Sequence, residues 1–210
     1  MKISHLRHEY MRAGLSEADA HADPLEQFRR WLQEALDAHV PLANAMTLAT
    51  VTPEGTPAAR IVLLKGLEDG GFVFYTNYAS RKGRELAARA DACVVFLWSE
   101  LERQVRIEGR VTKVAATDSD AYYDSRPLGA RLSAWASEQS ERVGDRAELE
   151  RALEAAERRF GERPPRPPHW GGYFLRPSAI EFWQGRANRL HDRLLYRSHG
   201  SGWTIERLAP

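Results

Sequence analysis

The sequence predicts a mainly β protein, an antiparallel barrel with helices at its flanks. Strand-like runs follow one another through the middle of the chain, "AMTLATVT", "AARIVLLK", "GFVFYTN", "ACVVFLWS" and "RQVRIEGRVTKV". Turn chemistry rich in Gly, Pro and Asp separates them, in "TPEGTP" and "LEDGG". The helical patterns sit beside this block and do not alternate with the strands, and "GxGxxG" is absent, which disfavours a doubly wound dinucleotide fold.

Residues 1–22 are polar and read as a mobile arm, leaving 23–210 as a single domain with peripheral helices. Asp23, Pro24 and Glu26 form a helix start: N-cap, proline at the first position, acid at the third. Leu25, Phe28, Leu32 and Leu36 give that helix an apolar stripe, and Pro41 ends it. In "RQVRIEGRVTKV" Val105, Ile107 and Val111 share one parity and Gln104, Arg106, Glu108 and Arg110 the other, a strand with one wet face. Residues 117–160 read as helical, with Asp145 and Glu148 as a capping box and Leu149, Leu153, Ala156 and Phe160 on one face. "GERPPRPPHWGG" is a stiff linker, and "YFLRPSAIEFWQ", "RLHDRLLYR" and "GWTIERLAP" supply the last strands.

The 210 residues suit one domain, which at this length buries about 70% of the surface of its unfolded chain. Thirty basic residues against 29 acidic ones leave a net charge of +1, which argues against a protein built to coat nucleic acid. A lone cysteine, Cys93 in "ACVVFLW", builds no disulfide framework and suits a reducing cytoplasm. The first residues carry no apolar stretch of the secretory kind, and no apolar run reaches membrane-spanning length.

Four stretches carry candidate chemistry. In "TNYASRKGREL" Ser80 is an N-cap, and Arg81 and Lys82 then open a helix whose dipole is already positive there, at a cost of about 0.3–1 kcal/mol each. Either the two side chains splay into water, or an anion such as phosphate sits between them, on about 1.5–3 kcal/mol per charge-assisted bond. Tyr75 and Thr76 end the preceding strand and would border such a cradle. In "ARIVLLK" Arg60 and Lys65 bracket an apolar strand on opposite parities, as charged ends or as ligands of different groups. In "RLHDR" Arg189, His191 and Arg193 fall at i, i+2 and i+4, one face of a strand, with Leu190 and Leu194 turned toward a core. That face is either a wet edge or a platform for an anion or an electron-rich ring. In "YYDSRP" Tyr122 and Arg126 are neighbours on a helix, through plain surface packing or around a phosphorylated ring, and Gln139 and Ser140 in "WASEQS" suit a heterocycle edge or a polyol chain. No metal-ligand spacing occurs.

Taken in order, "RIVLLK", "FYTNYASRKGREL", "LERQVRIEG", "YYDSRP", "WASEQS", "WGGY", "EFWQGRANRLHDR" and "ERLAP" resemble the pyridoxamine/pyridoxine 5′-phosphate oxidase family from about residue 5 to residue 210. The resemblance implies an FMN-binding split β-barrel working as a homodimer, with two active sites at the subunit interface. It implies oxidation of pyridoxine or pyridoxamine 5′-phosphate to pyridoxal 5′-phosphate, with dioxygen reoxidising the flavin and hydrogen peroxide released. By the same likeness Arg81 and Lys82 hold the FMN phosphate with Arg60, Tyr75 and Thr76 nearby, and Gln104, Gln139, Ser140, Trp183 and Arg193 make the other flavin contacts. Lys65, Tyr122 and Arg126 take the substrate phosphate, Arg189 and His191 lie over the substrate ring at its reacting side, and Arg7 to Tyr10 match an arm that folds over the ligand.

Two positions depart from the family pattern: Ala130 stands where a serine is common, so that either a phosphate contact is missing or Ser133 stands in, and Leu42 stands where an acid is common. The competing readings are a split-barrel flavoprotein with another substrate, a carrier of FMN or pyridoxal phosphate without turnover, and a nucleic-acid binder. "RLHDR" with "YYDSRP" speaks against the first and the charge balance against the last.

Overall fold

In the computed structural model residues 14–200 and 202–210 are described. Helix α1 (Pro24–Asp37) starts as expected: Pro24 is its first residue and the Asp23 carboxylate accepts from Leu25 N–H at 2.8 Å. Its buried face differs from the expected stripe. Phe28, Trp31 and Ala35 are buried, while Leu36 is half exposed and Leu25 and Leu32 only flank the core. Phe28 reaches deepest, with its ring 4.9–5.0 Å from those of Phe72 and Phe96, and Trp31 meets Phe182 edge-on at 5.1 Å. The aromatic residues outcompete leucine because each buries more area and is shaped to the barrel rings.

The described strands form one antiparallel sheet: β1 (Ala45–Val51), β2 (Pro57–Leu63), β3 (Gly66–Glu68), β4 (Gly71–Asn77), β5 (Asp91–Trp98), β6 (Arg103–Lys113), β7 (Trp170–Gln184), β8 (Asp192–His199) and β9 (Gly202–Arg207). Their order is β2-β1-β5-β6-β7-β4-β3, with β8 and β9 branching from β7. The two ends of that order, β2 and β3, are joined by Leu64 and Lys65 alone, so the sheet curls back on itself. The short β3 lies where the sequence reads only as a turn.

Strand β7 organises the molecule. Its first residues, Trp170–Leu175, pair with β4, and Ala179–Gln184 pair with β8, while β6 runs along the other edge of both halves. The change of partner falls at Pro177, which has no N–H to give, and at Ser178, the extra residue of a bulge opposite Glu108 and Gly109. Gly109 is required there: a Cβ would stand 2.1 Å from the Arg176 carbonyl oxygen.

The segment expected to be one helical run is three helices, α3 (Ala116–Ser125), α4 (Leu128–Ala136) and α5 (Arg146–Phe160); Pro127 breaks the first from the second. Helix α2 (Arg81–Ala88) follows β4. At α5, Asp145 caps Glu148 N–H as expected, but the Glu148 carboxylate reaches back to Gly144 N–H. Residues 14–22 of the expected arm lie on the barrel: Leu15 is buried and its N–H donates to Asp192 at 3.0 Å, because Asp192 offers a carboxylate that Arg207 also orients. Cys93 is half-buried, and burial pushes its thiol pKa up.

Candidate active site

The junction from β4 into α2 is built around a tight approach. A Cβ on Gly83 would meet the Tyr78 carbonyl oxygen at 2.1 Å, so only glycine lets the first turn of α2 close against residue 78. Ser80 caps the helix by accepting from Gly83 N–H at 3.3 Å. The first turn holds no acid. The Lys82 ammonium turns back across the helix start and donates to Thr76 Oγ1 at 3.1 Å and to Gln139 Oε1 at 2.8 Å. Burial, and then the nearby charge of Arg60, lower its pKa. Arg81 donates through Nε to Glu85 at 2.9 Å, which leaves its two Nη groups without a partner among the described residues. Arg60 stands behind this cluster, tied to Glu85 at 2.7 Å and to Thr50.

Beside the helix start opens a cleft of about 610 Å³. Lys65, Tyr75, Thr76, Lys82, Tyr122, Arg126 and Gln139 line it, so residues from three of the four candidate stretches meet in one place. Its wall is an aromatic stack: Tyr75 lies on Tyr122 at 3.8 Å, and Trp170 continues the stack parallel to Tyr122 within 4°. Arg126 caps it, with the guanidinium 4.5 Å above the Trp170 ring. Its Nη1 is buried and has no hydrogen-bond partner among the described residues. An unmet guanidinium donor is costly, and burial lowers the Arg126 pKa. An orphaned donor, an ammonium and a helix N-terminus around one cleft fit phosphate-bearing ligands. Ser133 lines the cleft near Ala130, although its hydroxyl donates to the Ala130 carbonyl at 3.0 Å. Leu42 is exposed in a left-handed turn, away from these residues.

A second cluster gathers at the other end of β7. Trp183 pairs with Gln104 on one side and with Arg193 on the other. The Arg193 guanidinium donates to the buried Glu181 at 2.8 Å, and Arg106 donates to the same carboxylate at 2.7 Å. The expected shared face of Arg189, His191 and Arg193 does not form. Ala187–Arg189 is a 3-10 turn in which Asn188 and Arg189 take positive φ, and β8 begins only at Asp192. Leu190 is therefore exposed, while Leu194 is fully buried as expected. Arg189 stands on an exposed corner, and the His191 ring packs on Trp183 at 4.7 Å.

Trp170 and Trp183 lie thirteen positions apart on β7, on opposite sides of its bulge, a contour of at most about 43 Å at roughly 3.3 Å per residue. None of Gln104, Trp183, Arg189, His191 and Arg193 lines the cleft of their own chain. Arg60, Arg81 and Ser140 border the cleft cluster without lining the cavity. Arg7 and Tyr10 lie outside the described residues. The sequence reading missed Trp170 and Asn77 in the cleft and Glu85 behind it. Trp170 was visible only as part of "WGGY". Among the described residues no group of His, Cys, Asp or Glu could hold a metal ion, and no helix is long and apolar enough to cross a membrane.

Glu85 and Glu181 carry a pH signature. Burial pushes each carboxyl up, but their hydrogen bonds outweigh it, from Thr50, Arg60 and Arg81 to Glu85 and from Arg193 and Arg106 to Glu181. Both pKa values sit below the usual 4.5. A folded-state pKa below the unfolded one adds stability above the unfolded value, and that stability is lost as pH falls through the folded one. Tm measured by circular dichroism should therefore stay level down to about pH 5 and fall as the pH drops below about 4.5, less steeply in Glu181→Gln. A level Tm across that range would remove these carboxylates from the account.

The curled sheet and its flanking helices define a split-barrel fold, and the cleft within it has cations and an aromatic wall of the kind a phosphorylated ring would need. Residues 32–160 match the family model described as pyridoxamine 5′-phosphate oxidase, and residues 170–210 match that of the pyridoxine 5′-phosphate oxidase C-terminal dimerisation region. The chain is 62% identical over 209 residues to the pyridoxine/pyridoxamine 5′-phosphate oxidase of Ralstonia pickettii, covering 99% of each chain. It is 60% identical to the protein of that name from Thermosynechococcus vestitus, covering 100% of this chain and 99% of that one. Among solved structures it is similar to PhzG from Burkholderia lata, in complex with tetrahydrophenazine-1-carboxylic acid, with a TM-score of 0.90 and 31% identity over 97% of this chain and 100% of the other. A pyridoxamine 5′-phosphate oxidase-related, FMN binding protein from Nostoc punctiforme shares the fold, with a TM-score of 0.70 and 22% identity over 87% of this chain and 97% of that one. The chain belongs to the pyridoxine/pyridoxamine 5′-phosphate oxidase family.

Proposed function

We propose that this protein binds FMN and oxidises pyridoxine or pyridoxamine 5′-phosphate to pyridoxal 5′-phosphate, with dioxygen as electron acceptor and hydrogen peroxide as product. The observation that carries the reading is the cleft, where an orphaned Arg126 donor and the Lys82 ammonium flank an aromatic wall. A phosphorylated ring needs cations and a flat apolar surface together. Arg60, Tyr75, Thr76, Arg81, Lys82, Gln139 and Ser140 hold the cofactor on one chain. Lys65, Tyr122 and Arg126 bind the substrate phosphate, and that remote binding energy orients the carbon to be oxidised. Bound FMN supplies the two-electron acceptance that the side chains lack.

Gln104, Trp183, Arg189, His191 and Arg193 complete each site from a second copy of the chain, in a homodimer. The separation of the two clusters along β7 supports this, as do the exposed Ile61 and Leu97 on β2 and β5, which offer an apolar surface for a partner. Arg189 contributes a planar charged fork that lies against the pyridine ring, which lysine could not copy.

The test is direct. Purified protein should be yellow, with about one FMN per chain, and should release peroxide with pyridoxamine phosphate and dioxygen, as expected of a flavin oxidase. Colourless protein with no peroxide output would end this reading. Peroxide with a different ring substrate alone, the alternative that the likeness to PhzG supports, would keep the flavin and move the substrate. Flavin without any peroxide would mark a carrier.

A further inference from the structure

Glu85 had no place in the expected site, yet the three elements that flank the helix start converge on it. It lies on α2 one turn after Arg81, and it is 2% exposed. Its Oε2 accepts from Arg60 Nη2 at 2.7 Å and from the Thr50 hydroxyl, and its Oε1 accepts from Arg81 Nε at 2.9 Å. One buried carboxylate thus joins β1, β2 and α2 and holds two guanidinium groups side by side. Without it the two arginines, Lys82 and the positive end of the α2 dipole would repel one another. With it the cluster carries three positive charges and one negative, a surplus of two. That surplus matches a phosphate monoester, at about −1.5 to −2 near neutral pH. The use of Arg81 Nε by Glu85 also fixes the plane of the fork, so its Nη groups are pre-set before any ligand arrives. Preorganisation of this kind raises affinity because less freedom is lost on binding.

We propose that Glu85 is a positioning residue for phosphate recognition, acting through Arg60 and Arg81; the inference rests on the reading that the FMN phosphate binds at the start of α2. Its role is distinct from folding alone and from simple charge balance, and the three make different predictions. Riboflavin shares the ring and chain of FMN but lacks the phosphate, so the pair of flavins isolates the phosphate term.

The experiment is fluorescence titration of the full-length apoprotein with FMN and with riboflavin, in wild type, Glu85→Gln and Glu85→Asp. Wild type should bind FMN at least about a hundredfold more tightly than riboflavin, from two or more charge-assisted bonds. Absence of that preference would sink the phosphate reading itself. Given the preference, Glu85→Gln should weaken FMN at least about tenfold and leave riboflavin within about twofold, the loss of roughly one charge-assisted bond. Glu85→Asp keeps the charge but is one methylene too short to reach both arginines, so it should fall between the two. If Glu85→Gln does not fold, Glu85→Asp decides: a selective loss of FMN supports the proposal, and an unchanged FMN-to-riboflavin ratio overturns it. Parallel losses for both flavins would make Glu85 a structural residue only. Tighter FMN binding in Glu85→Gln would make it a charge counterweight and not a positioning group.

Discussion

The double variant Arg81→Ala, Lys82→Ala should lose FMN affinity by a factor of roughly 10² to 10⁴ while its apo fold stays near wild type. The estimate is two charge-assisted bonds at about 1.5–3 kcal/mol each. The fold should tolerate the change for local reasons. Arg81 is largely exposed, and the buried Glu85 keeps its bonds from Arg60 and Thr50 when Arg81 is removed, so its charge stays compensated. Removing two cations from a helix N-terminus relieves about 0.3–1 kcal/mol each of unfavourable dipole interaction, which offsets part of the loss of the Arg81 bond. Lys82 also gives up its bonds to Thr76 and Gln139, so the loop carrying Gln139 should loosen. Flavin fluorescence titration gives the affinity, and circular dichroism melting of the apoprotein gives the fold. Wild-type FMN affinity in the double variant would remove the phosphate from the start of α2, whatever the protein catalyses.

This part of the site was legible because the conflict is local. Two cations after an N-cap contradict the helix dipole within a few residues, and the structure places a cation-lined cleft beside them. The strand runs were legible for the same reason, since alternation and turn residues need no distant information. What failed was inference that assumed a regular backbone. The period-two reading of Arg189, His191 and Arg193 requires an extended chain, but Asn188 and Arg189 take positive φ and delay the strand to Asp192. The stripe on α1 was misplaced in part: Phe28 is buried as expected, but the ring-lined barrel takes Trp31 and Ala35 beside it and leaves Leu25, Leu32 and Leu36 at the edge. Glu85 was invisible because an acid four residues after Arg81 looks like an ordinary surface pair. Its other partners, Arg60 and Thr50, are 25 and 35 residues away in the chain. The stack of Tyr75, Tyr122 and Trp170 is likewise a product of β4, α3 and β7 meeting, which no single window contains.

Two inactive variants should restore each other when they share a dimer. One chain carries Lys65→Ala and Arg126→Ala, which strip the cleft of substrate-phosphate contacts. The other carries Arg189→Ala and His191→Ala, which strip the cluster at the far end of β7. Each alone should lose at least about a hundredfold in kcat/KM, roughly 3 kcal/mol of transition-state stabilisation. In a two-fold dimer whose sites each take one cluster from each copy, a mixed dimer has one site with both defects and one with neither. Random pairing makes half of the dimers mixed, so co-expressed chains should recover about one quarter of wild-type activity, and the purified mixed dimer about one half. The geometry favours this outcome, because Arg189 and His191 follow the end of β7 opposite the one that meets the cleft, and neither lines the cleft of its own chain. If each site were built from one chain, every site in the mixture would keep a defect and the activity would stay at the level of the separate variants. Activity measured by peroxide release after purification of the doubly tagged mixed dimer decides between them. A mixed dimer as inactive as its parents would overturn the shared site and with it the roles proposed for Arg189 and His191 across the interface.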